Sequence, residues 1–328
     1  MLLGKELELL AYRVRGLQQT FSQDMHIREG VILESEYNIH SFSDLDLALA
    51  EKPEIAFITN ITSEHIPCAI KAARAGCHLF LEKPISHNTE GLKALGQLIR
   101  EKQLIAFVGF QNRYHRGLTI LRNILDNGSL GDLISIRLNM GEALATMHTY
   151  EDYKTTYMAV KNMGGGLILN QLIHELDYAQ WIFGIPEGVY ALNNINGNLS
   201  IDVEDQCDAL FKIKRQGKIV ALSIHGDFYQ SPSTRTCEVI GENGRMLVDL
   251  ITHKTTVCIS GKFEQYHDPD FIRNDMFLEE VSDFLDCVKN NHKSPISYHS
   301  GLNSLRMAMA IKKSSTEGRY VKLDEITW

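Results

Sequence analysis

The segment FITNITSEHIPCAIKAARAGCHLFLEKPIS, residues 57–86, decides the fold of this chain. Apolar runs at 55–59 and 78–82 have the length of buried strands, and between them 63–75 places apolar residues at helical spacing. Gly76 follows the predicted helix as its C-terminal stop. A strand, a helix and a second strand in this order predict a right-handed βαβ unit and therefore a parallel sheet.

The flanking sequence extends this pattern over residues 1–120. Further strands are predicted at 6–13 and 105–110, with helices at 43–51 and 88–103. The pattern predicts a Rossmann-type dinucleotide-binding domain. However, G-x-G-x-x-G, the turn that holds a pyrophosphate, occurs nowhere in the sequence. We therefore expect an N-terminally incomplete parallel sheet that lacks its first βα unit.

The order of predicted helices and strands changes beyond residue 130. A glycine run at 164–166 opens an amphipathic helix to residue 183, and strands then follow one another without helices between them. The predicted strands are 132–140, 189–194, 207–214, 218–228, 236–240, 245–250 and 320–323, and the predicted final helices are 274–289 and 300–317. This indicates an α+β domain over 121–328 with a mostly antiparallel open sheet, and a C-terminal helix that packs back on the first domain.

Composition excludes several classes of partner. The 33 basic and 41 acidic residues give a net charge of −8, which disfavours nucleic acid and anionic membranes. No apolar run reaches the roughly 18 residues that span a bilayer. The six cysteines form no C-x-x-C pair. These features predict a cytoplasmic protein with reduced thiols and no metal site.

Glu82-Lys83-Pro84 lies at the end of a predicted strand, where open α/β sheets bind ligands. A lysine partly buried beside a nicotinamide ring would have a lowered pKa, suited to proton transfer. The alternative is an ordinary surface turn, because the tripeptide alone is not specific.

A polar stripe marks the helix after the glycine run. Asn170, His174 and Asp177 are spaced four and three residues apart and share one face. Polar groups on an otherwise apolar helix must be hydrogen-bonded or face a cavity. The alternative is a packed helix whose histidine has an internal partner.

Together these motifs resemble the Gfo/Idh/MocA oxidoreductase family over almost the whole chain. The stretch 57–86 resembles the family's strand–helix–strand ending in Glu-Lys-Pro, and GGGLILNQLIH at 164–174 resembles its glycine-run helix. The resemblance implies that Lys83 is the acid/base group and His174 a second acid/base or orienting group. Asn170 stands where the family commonly has aspartate, and an amide orients a hydroxyl but takes no proton.

The resemblance also implies a nicotinamide cofactor, NAD or NADP. An arginine at the end of the 6–13 strand suits the 2′-phosphate of NADP, which favours NADP slightly. The implied cofactor-binding residues are Arg13, Asn60, Thr62, His65, Glu82, Lys83 and Arg113.

The stretch 141–166 resembles a branch of the family that acts on activated or acidic sugars, including enzymes of surface-polysaccharide and nonulosonic-acid metabolism. The expected substrate is therefore a small sugar-type molecule, and a phosphate or carboxylate on it would suit Arg235. The implied substrate-binding residues are His148, Tyr153, Lys154, Asp177 and Arg235.

The sequence thus predicts an NAD(P)-dependent oxidoreductase that moves a hydride between nicotinamide and a secondary carbinol of a sugar. Two alternatives stay open. One is a catalytically inactive or truncated family member that binds sugar or nucleotide. The other is a glycoside hydrolase that uses NAD transiently. A homodimer or homotetramer is expected by resemblance only.

Overall fold

The computed structural model describes residues 10–12, 28–147 and 150–328. In the first half, β3, β4 and β5 form a parallel sheet and β1 pairs with β2, also in parallel. The predicted parallel α/β class is confirmed, and Gly76 ends α3 in the left-handed region at φ 96°. The elements are β1 (Leu10–Tyr12), α1 (Leu33–Glu36), β2 (His40–Phe42), α2 (Leu45–Ala50), β3 (Ile55–Ile58), α3 (His65–Ala75), β4 (His78–Glu82), α4 (Leu92–Glu101), β5 (Ala106–Gly109) and α5 (Arg116–Asp126).

The second half is built on a nine-stranded sheet of order β13-β12-β11-β10-β6-β9-β8-β7-β14. Every neighbouring pair is antiparallel except β6 and β9, which confirms the mostly antiparallel prediction. The elements are β6 (Leu133–Gly141), α6 (Leu144–Met147), α7 (Ile173–Phe183), β7 (Gly188–Asn194), β8 (Gln206–Arg215), β9 (Lys218–Asp227), β10 (Thr234–Gly241), β11 (Gly244–Asp249), β12 (Lys254–Ile259), β13 (Lys262–His267), α8 (Arg273–Asn290), α9 (Tyr298–Glu317) and β14 (Val321–Lys322).

The hairpin of β12 and β13 was absent from the sequence-based prediction. Each β13 residue is exposed, so this edge strand lacks the apolar alternation by which a strand is predicted. It pairs with β12 through a two-residue turn, Ser260-Gly261, and this turn is a local hairpin signal that the sequence analysis did not use. Within the described residues, the helices are all too short or too polar to cross a bilayer.

Aromatic packing joins α8 to the parallel sheet. Phe284 contacts the rings of Phe80 and Phe107 edge-on, with centroid distances of 5.5 and 5.9 Å, and those two strand residues stack on each other. All three side chains are buried. Edge-to-face aromatic contacts add to the free energy of burial, so they hold α8 along β4 and β5.

The chain before and within α9 also returns to the first half. The backbone N–H of Val108 donates to Ile296 O at 2.9 Å, and the Tyr298 hydroxyl donates to Leu92 O at 2.8 Å. These contacts are what the predicted return of the C-terminal helix requires. The division of the chain at residue 120 stays a prediction.

The glycine run lies where the two halves of the chain meet. Gly164 has φ 86°, and a Cβ there would lie 2.7 Å from the Thr62 Cβ. A Cβ on Gly165 would lie 2.6, 2.7 and 2.8 Å from the backbone oxygens of Tyr157, Met158 and Val160. Only glycine permits these approaches, because backbone atoms in a folded loop cannot move aside as a flexible side chain can.

We predict that Gly165→Ala lowers the free energy of unfolding by about 3 kcal/mol, because the added methyl group overlaps three backbone oxygens. Gly261→Ala is the control: it lies in the β12–β13 turn with φ 78° and no atom within 4 Å of a Cβ, so only backbone strain of about 1 kcal/mol is expected. Urea unfolding of both variants measures the difference. Equal losses would contradict the steric account.

Candidate active site

Polar side chains follow three parallel strands where each strand ends. Asn60 comes after β3, Lys83 after β4 and Asn112 after β5. The carboxyl ends of parallel strands meet at one edge of the sheet, so these residues share that edge. Asn60 Oδ1 and Asn112 Nδ2 are buried without a hydrogen-bond partner among the described residues. A ligand bound at this edge would supply the partners that these two buried atoms lack.

His65 connects the loops after β3 and β4. Its Nδ1 lies 2.8 Å from Pro84 O, and its Nε2 lies 2.9 Å from Asn60 O. Burial lowers the pKa of His65, so the ring is neutral and only one of these contacts has a hydrogen to donate. Both ring nitrogens lie against backbone, and Thr62 is buried against Gly164. Of the predicted cofactor residues in this loop, Asn60 keeps an unused polar atom.

Lys83 reaches from β4 to the helix of the second half. Its Nζ donates to the Asn170 backbone oxygen at 2.9 Å. Asn170 lies in a π-helical turn, Ile168–Leu172, that leads into α7. Such turns interrupt the regular helical hydrogen bonds and are frequent at functional sites. The predicted helix up to residue 183 is present, and its π-helical turn, which the sequence analysis did not predict, is the part that Lys83 contacts.

Burial lowers the pKa of Lys83 from its usual value of 10.5. The Glu82 carboxylate opposes this, and the positive charges of Arg235 and Arg273 reinforce it. The Glu82 Oε2 accepts from the Lys83 backbone N–H at 3.1 Å, and burial raises the pKa of Glu82 itself. A lysine with a lowered pKa exchanges protons closer to neutral pH, which is what a general acid/base requires.

His174 and Asn170 present unused polar atoms beside Lys83. Burial, followed by the charges of Lys83, Arg235 and Arg273, lowers the pKa of His174 well below its usual value. The imidazole is therefore neutral. His174 Nδ1 and Asn170 Oδ1 are buried without partners, while Asn170 Nδ2 donates to Gly164 O and Gly166 O. The structure thus brings the three predicted catalytic residues together.

Asp177, on the same helix face, is paired with Arg113. Its two carboxylate oxygens accept from Arg113 Nε and Nη2, each at 2.7 Å, and both side chains are buried. Arg113 Nη1 also donates to Pro295 O at 3.3 Å. Each charge is neutralised by the other. The substrate role of Asp177 and the cofactor role of Arg113, which the resemblance implies, stay predictions.

Arg235 has protein partners as well. Its Nε donates to Glu175 Oε1 at 2.9 Å, and its Nη2 lies 3.3 Å from both Gln171 Oε1 and Glu175 Oε2. Glu175 is fully buried. Arg235 therefore neutralises a buried carboxylate on α7, which leaves less of its charge for the predicted substrate anion.

The other predicted substrate residues lie in the segment that precedes the glycine run. Tyr153 and Lys154 lie in a 3₁₀ turn, Tyr153–Thr155, where Lys154 is exposed and its Nζ lies 5.8 Å from the Tyr153 ring centroid. Arg13 and His148 lie outside the described residues. Their proposed roles therefore stay predictions.

Two further groups near Lys83 escaped the sequence analysis. Burial and the charge of Glu82 raise the pKa of Tyr157 to about 12. Glu280 on α8 is buried with Oε1 unpartnered, and burial together with the charges of Glu82 and Asp177 raises its pKa to about 9. An acidic residue at helical spacing from Met276 and Phe284 was the available signal, because those positions form the buried face.

We predict that the free energy of unfolding of Glu280→Gln, relative to that of the wild type, increases as the pH rises from 6 to 8. In the unfolded chain the carboxyl loses its proton above its usual pKa of 4.5, whereas in the folded chain it keeps the proton up to about 9. Folding therefore takes up a proton, and wild-type stability falls across this window by up to about 1.4 kcal/mol per pH unit. Glutamine at this position has no carboxyl group to protonate, so the stability of the variant lacks this dependence on pH.

Urea unfolding of the wild type and Glu280→Gln at both pH values measures this gap. Glu279→Gln, at the exposed neighbouring position, is the control and should show no widening. A gap that stays constant between the two pH values would contradict a protonated Glu280, whatever its absolute size.

The parallel sheet that ends at Lys83 and the large second sheet are the two parts of the structure that match models of one protein family. The chain belongs to the Gfo/Idh/MocA oxidoreductase family. Residues 14–110 match the model described as "Oxidoreductase family, NAD-binding Rossmann fold". Residues 122–323 match that described as "Oxidoreductase family, C-terminal alpha/beta domain".

Several dehydrogenases are similar over most of their length. Myo-inositol 2-dehydrogenase of Thermotoga maritima is 26% identical over 288 residues, covering 85% of this chain and 83% of the relative. The scyllo-inositol 2-dehydrogenase (NAD(+)) of Bacillus subtilis is 25% identical over 301 residues, covering 88% and 84%. Levoglucosan dehydrogenase, solved in complex with NADH and levoglucosan, superposes with a TM-score of 0.79 at 17% identity, covering 89% and 87%.

Proposed function

We propose that this protein transfers a hydride between a nicotinamide dinucleotide and a secondary carbinol of a sugar or cyclic polyol. The observation that carries the proposal is the group formed by Lys83, with its lowered pKa, the neutral His174 and the unpartnered Asn170 Oδ1. The sugar-type substrate is supported by the inositol and levoglucosan dehydrogenases among the relatives.

The residues at the sheet edge and in the π-helical turn fit the nicotinamide end of such a cofactor. Asn60, Asn112 and Asn170 each have one buried amide atom without a partner. Amide and ribose hydroxyl groups are donors and acceptors that satisfy atoms of this kind. When bound, the nicotinamide accepts or supplies the hydride.

Side chains of the protein itself transfer the proton and position the substrate. In the direction of oxidation, a neutral Lys83 Nζ takes the hydroxyl proton as the C–H bond gives up its hydride and the carbonyl forms. His174 Nδ1 and Asn170 Oδ1 are free to hydrogen-bond hydroxyl groups and so hold the carbinol in position. Reduction of a ketone uses the same groups, with Lys83 returning the proton.

The preference for NADP, the metabolic context and the oligomeric state each depend on a different observation. The preference for NADP rests on Arg13, outside the described residues, and the polysaccharide or nonulosonic-acid context rests on the resemblance of 141–166. A homo-oligomer is supported by exposed apolar side chains on one sheet face, where Tyr190 and Leu210 lie opposite each other on β7 and β8.

We predict that Lys83→Met lowers kcat by about 10²- to 10⁴-fold, because it removes the proton acceptor. The dissociation constant of the Lys83→Met variant for NADH should change little. The chain contains a matched control: a second Glu-Lys-Pro at 51–53, where Lys52 is exposed. Lys52→Met should leave kcat unchanged. Nicotinamide absorbance with myo-inositol and with levoglucosan, each with NAD⁺ and NADP⁺, measures turnover.

Other outcomes separate the alternatives. Full activity of Lys83→Met would overturn the proposed role of Lys83. Binding of NADH and of a polyol, with no turnover of that polyol, would favour a binding protein. Release of p-nitrophenol from an aryl glycoside, without net change in nicotinamide absorbance, would identify a glycoside hydrolase.

A further inference from the structure

Gln171 lies next to Asn170 in the π-helical turn and contacts two elements outside that turn. Its Oε1 accepts from Arg235 Nη2 at 3.3 Å, and its Nε2 donates to Met147 Sδ at 3.4 Å. A guanidinium can only donate hydrogen bonds and a thioether can only accept them, so these two partners fix the orientation of the amide. Gln171 therefore connects β10, which carries Arg235, to α6, which ends at Met147.

Arg235 is itself held by the helix that follows the turn. Its Nε donates to Glu175 Oε1 at 2.9 Å, and its Nη2 donates to Glu175 Oε2 at 3.3 Å. The Glu175 side chain is fully buried, and most of the Arg235 side chain is buried with it. Two charge-assisted hydrogen bonds hold the planar guanidinium in one orientation. Gln171 is thus attached to a fixed partner rather than to a mobile surface arginine.

The other end of the π-helical turn also has partners outside the helix. The backbone N–H of Ile168 donates to Glu204 Oε1 at 3.2 Å, and Lys312 Nζ lies 3.2 Å from the same oxygen. A π-helical turn is a rare form of a helix, and irregular backbone persists where the surrounding contacts hold it. Glu204 therefore anchors the start of this turn, and Gln171 anchors its end.

The form of the turn determines where the Asn170 carbonyl lies. That carbonyl accepts from Lys83 Nζ at 2.9 Å, and among the described residues it is the only hydrogen-bond partner of this ammonium group. Hydrogen bonds are lost when the donor and acceptor atoms separate beyond about 3.5 Å, so a displacement of the carbonyl by about 1 Å would break the contact. The position of Lys83 Nζ therefore depends on what holds the turn.

We propose that Gln171 is a positioning residue for proton transfer: through Arg235 and Met147 it holds the π-helical turn in the form that presents the Asn170 carbonyl to Lys83. The inference rests on the proposed function, in which Lys83 moves the proton. In this role Arg235 is the anchor of Gln171, which requires no anionic group on the substrate.

The first test measures the titration of Lys83 in Gln171→Leu, which replaces the amide by methyl groups and removes both of its contacts. A carbonyl that accepts from an ammonium group stabilises the charged form. We therefore expect the Lys83 signal to titrate about one pH unit lower than in the wild type, as the loss of a hydrogen bond to a charged group provides. NMR of the full chain with ¹³C-labelled lysine measures this difference.

Turnover supplies a second readout. Gln171→Leu should lower kcat for the oxidation of myo-inositol by about 10- to 100-fold, because a displacement of about 1 Å at a reacting group has an effect of this size. The KM for NAD⁺ should stay within about twofold of the wild-type value, since Asn60 and Asn112 are unchanged.

Three further variants make the result specific. Gln180→Leu alters a glutamine of the same helix whose amide donates to Ser300 O and Ser304 Oγ on α9, and it should leave the titration of Lys83 unchanged. Gln171→Glu keeps an oxygen that accepts from Arg235 and should recover most of the lost kcat. Gln171→Asn keeps the amide on a shorter side chain and repeats the test if the leucine variant does not fold. Circular dichroism establishes that each variant is folded.

Each outcome bears on the proposal. A Lys83 signal that titrates as in the wild type or higher in a folded Gln171 variant would overturn it, as would an equal shift in Gln180→Leu or an unchanged kcat in Gln171→Leu. A wild-type chain that oxidises neither myo-inositol nor levoglucosan would overturn the proposed function. The titration of Lys83 needs no substrate, so it would still decide whether Gln171 positions the lysine.

Discussion

The contact between the Lys83 ammonium and the Asn170 carbonyl is the constraint on which the rest of the site depends. It joins the end of β4 to the π-helical turn before α7, at 2.9 Å. An ammonium group taken out of water loses hydration that a single carbonyl does not fully replace. This loss of hydration disfavours the charged form, so the pKa of Lys83 is lowered and its proton is held less tightly than in water.

The surrounding structure keeps the two halves of the chain close enough for this contact. Gly164 meets Thr62 without a side chain between them, and His65 connects the loops after β3 and β4. The Arg113–Asp177 pair joins the segment after β5 to α7 by two buried charge-assisted hydrogen bonds. Removing one partner of such a buried pair lowers the free energy of unfolding by several kcal/mol, because the other charge is left buried and unpaired. The intact pair therefore holds α7 in position.

The sequence predicted what depends on local order. Glu82-Lys83-Pro84 follows an apolar run, so its place at a strand end could be inferred, and the Asn170–His174 spacing put both residues on one helix face. It did not predict partners distant along the chain. Asp177 and Arg113 are 64 residues apart, and Arg235 and Glu175 are 60 apart. Whether a charge faces a ligand or another side chain is decided by such contacts, which no local pattern contains.

The charge state of Lys83 tests this account most directly. Lysine labelled with ¹³C at Cε allows each ammonium group to be titrated by NMR, and Lys83→Met identifies its signal by subtraction. We expect that signal to titrate clearly below the usual lysine pKa of 10.5, because burial and the nearby arginines disfavour its charge. A Lys83 signal that titrates at or above that value would contradict the account, since the lysine would then hold its proton at neutral pH as firmly as any surface lysine.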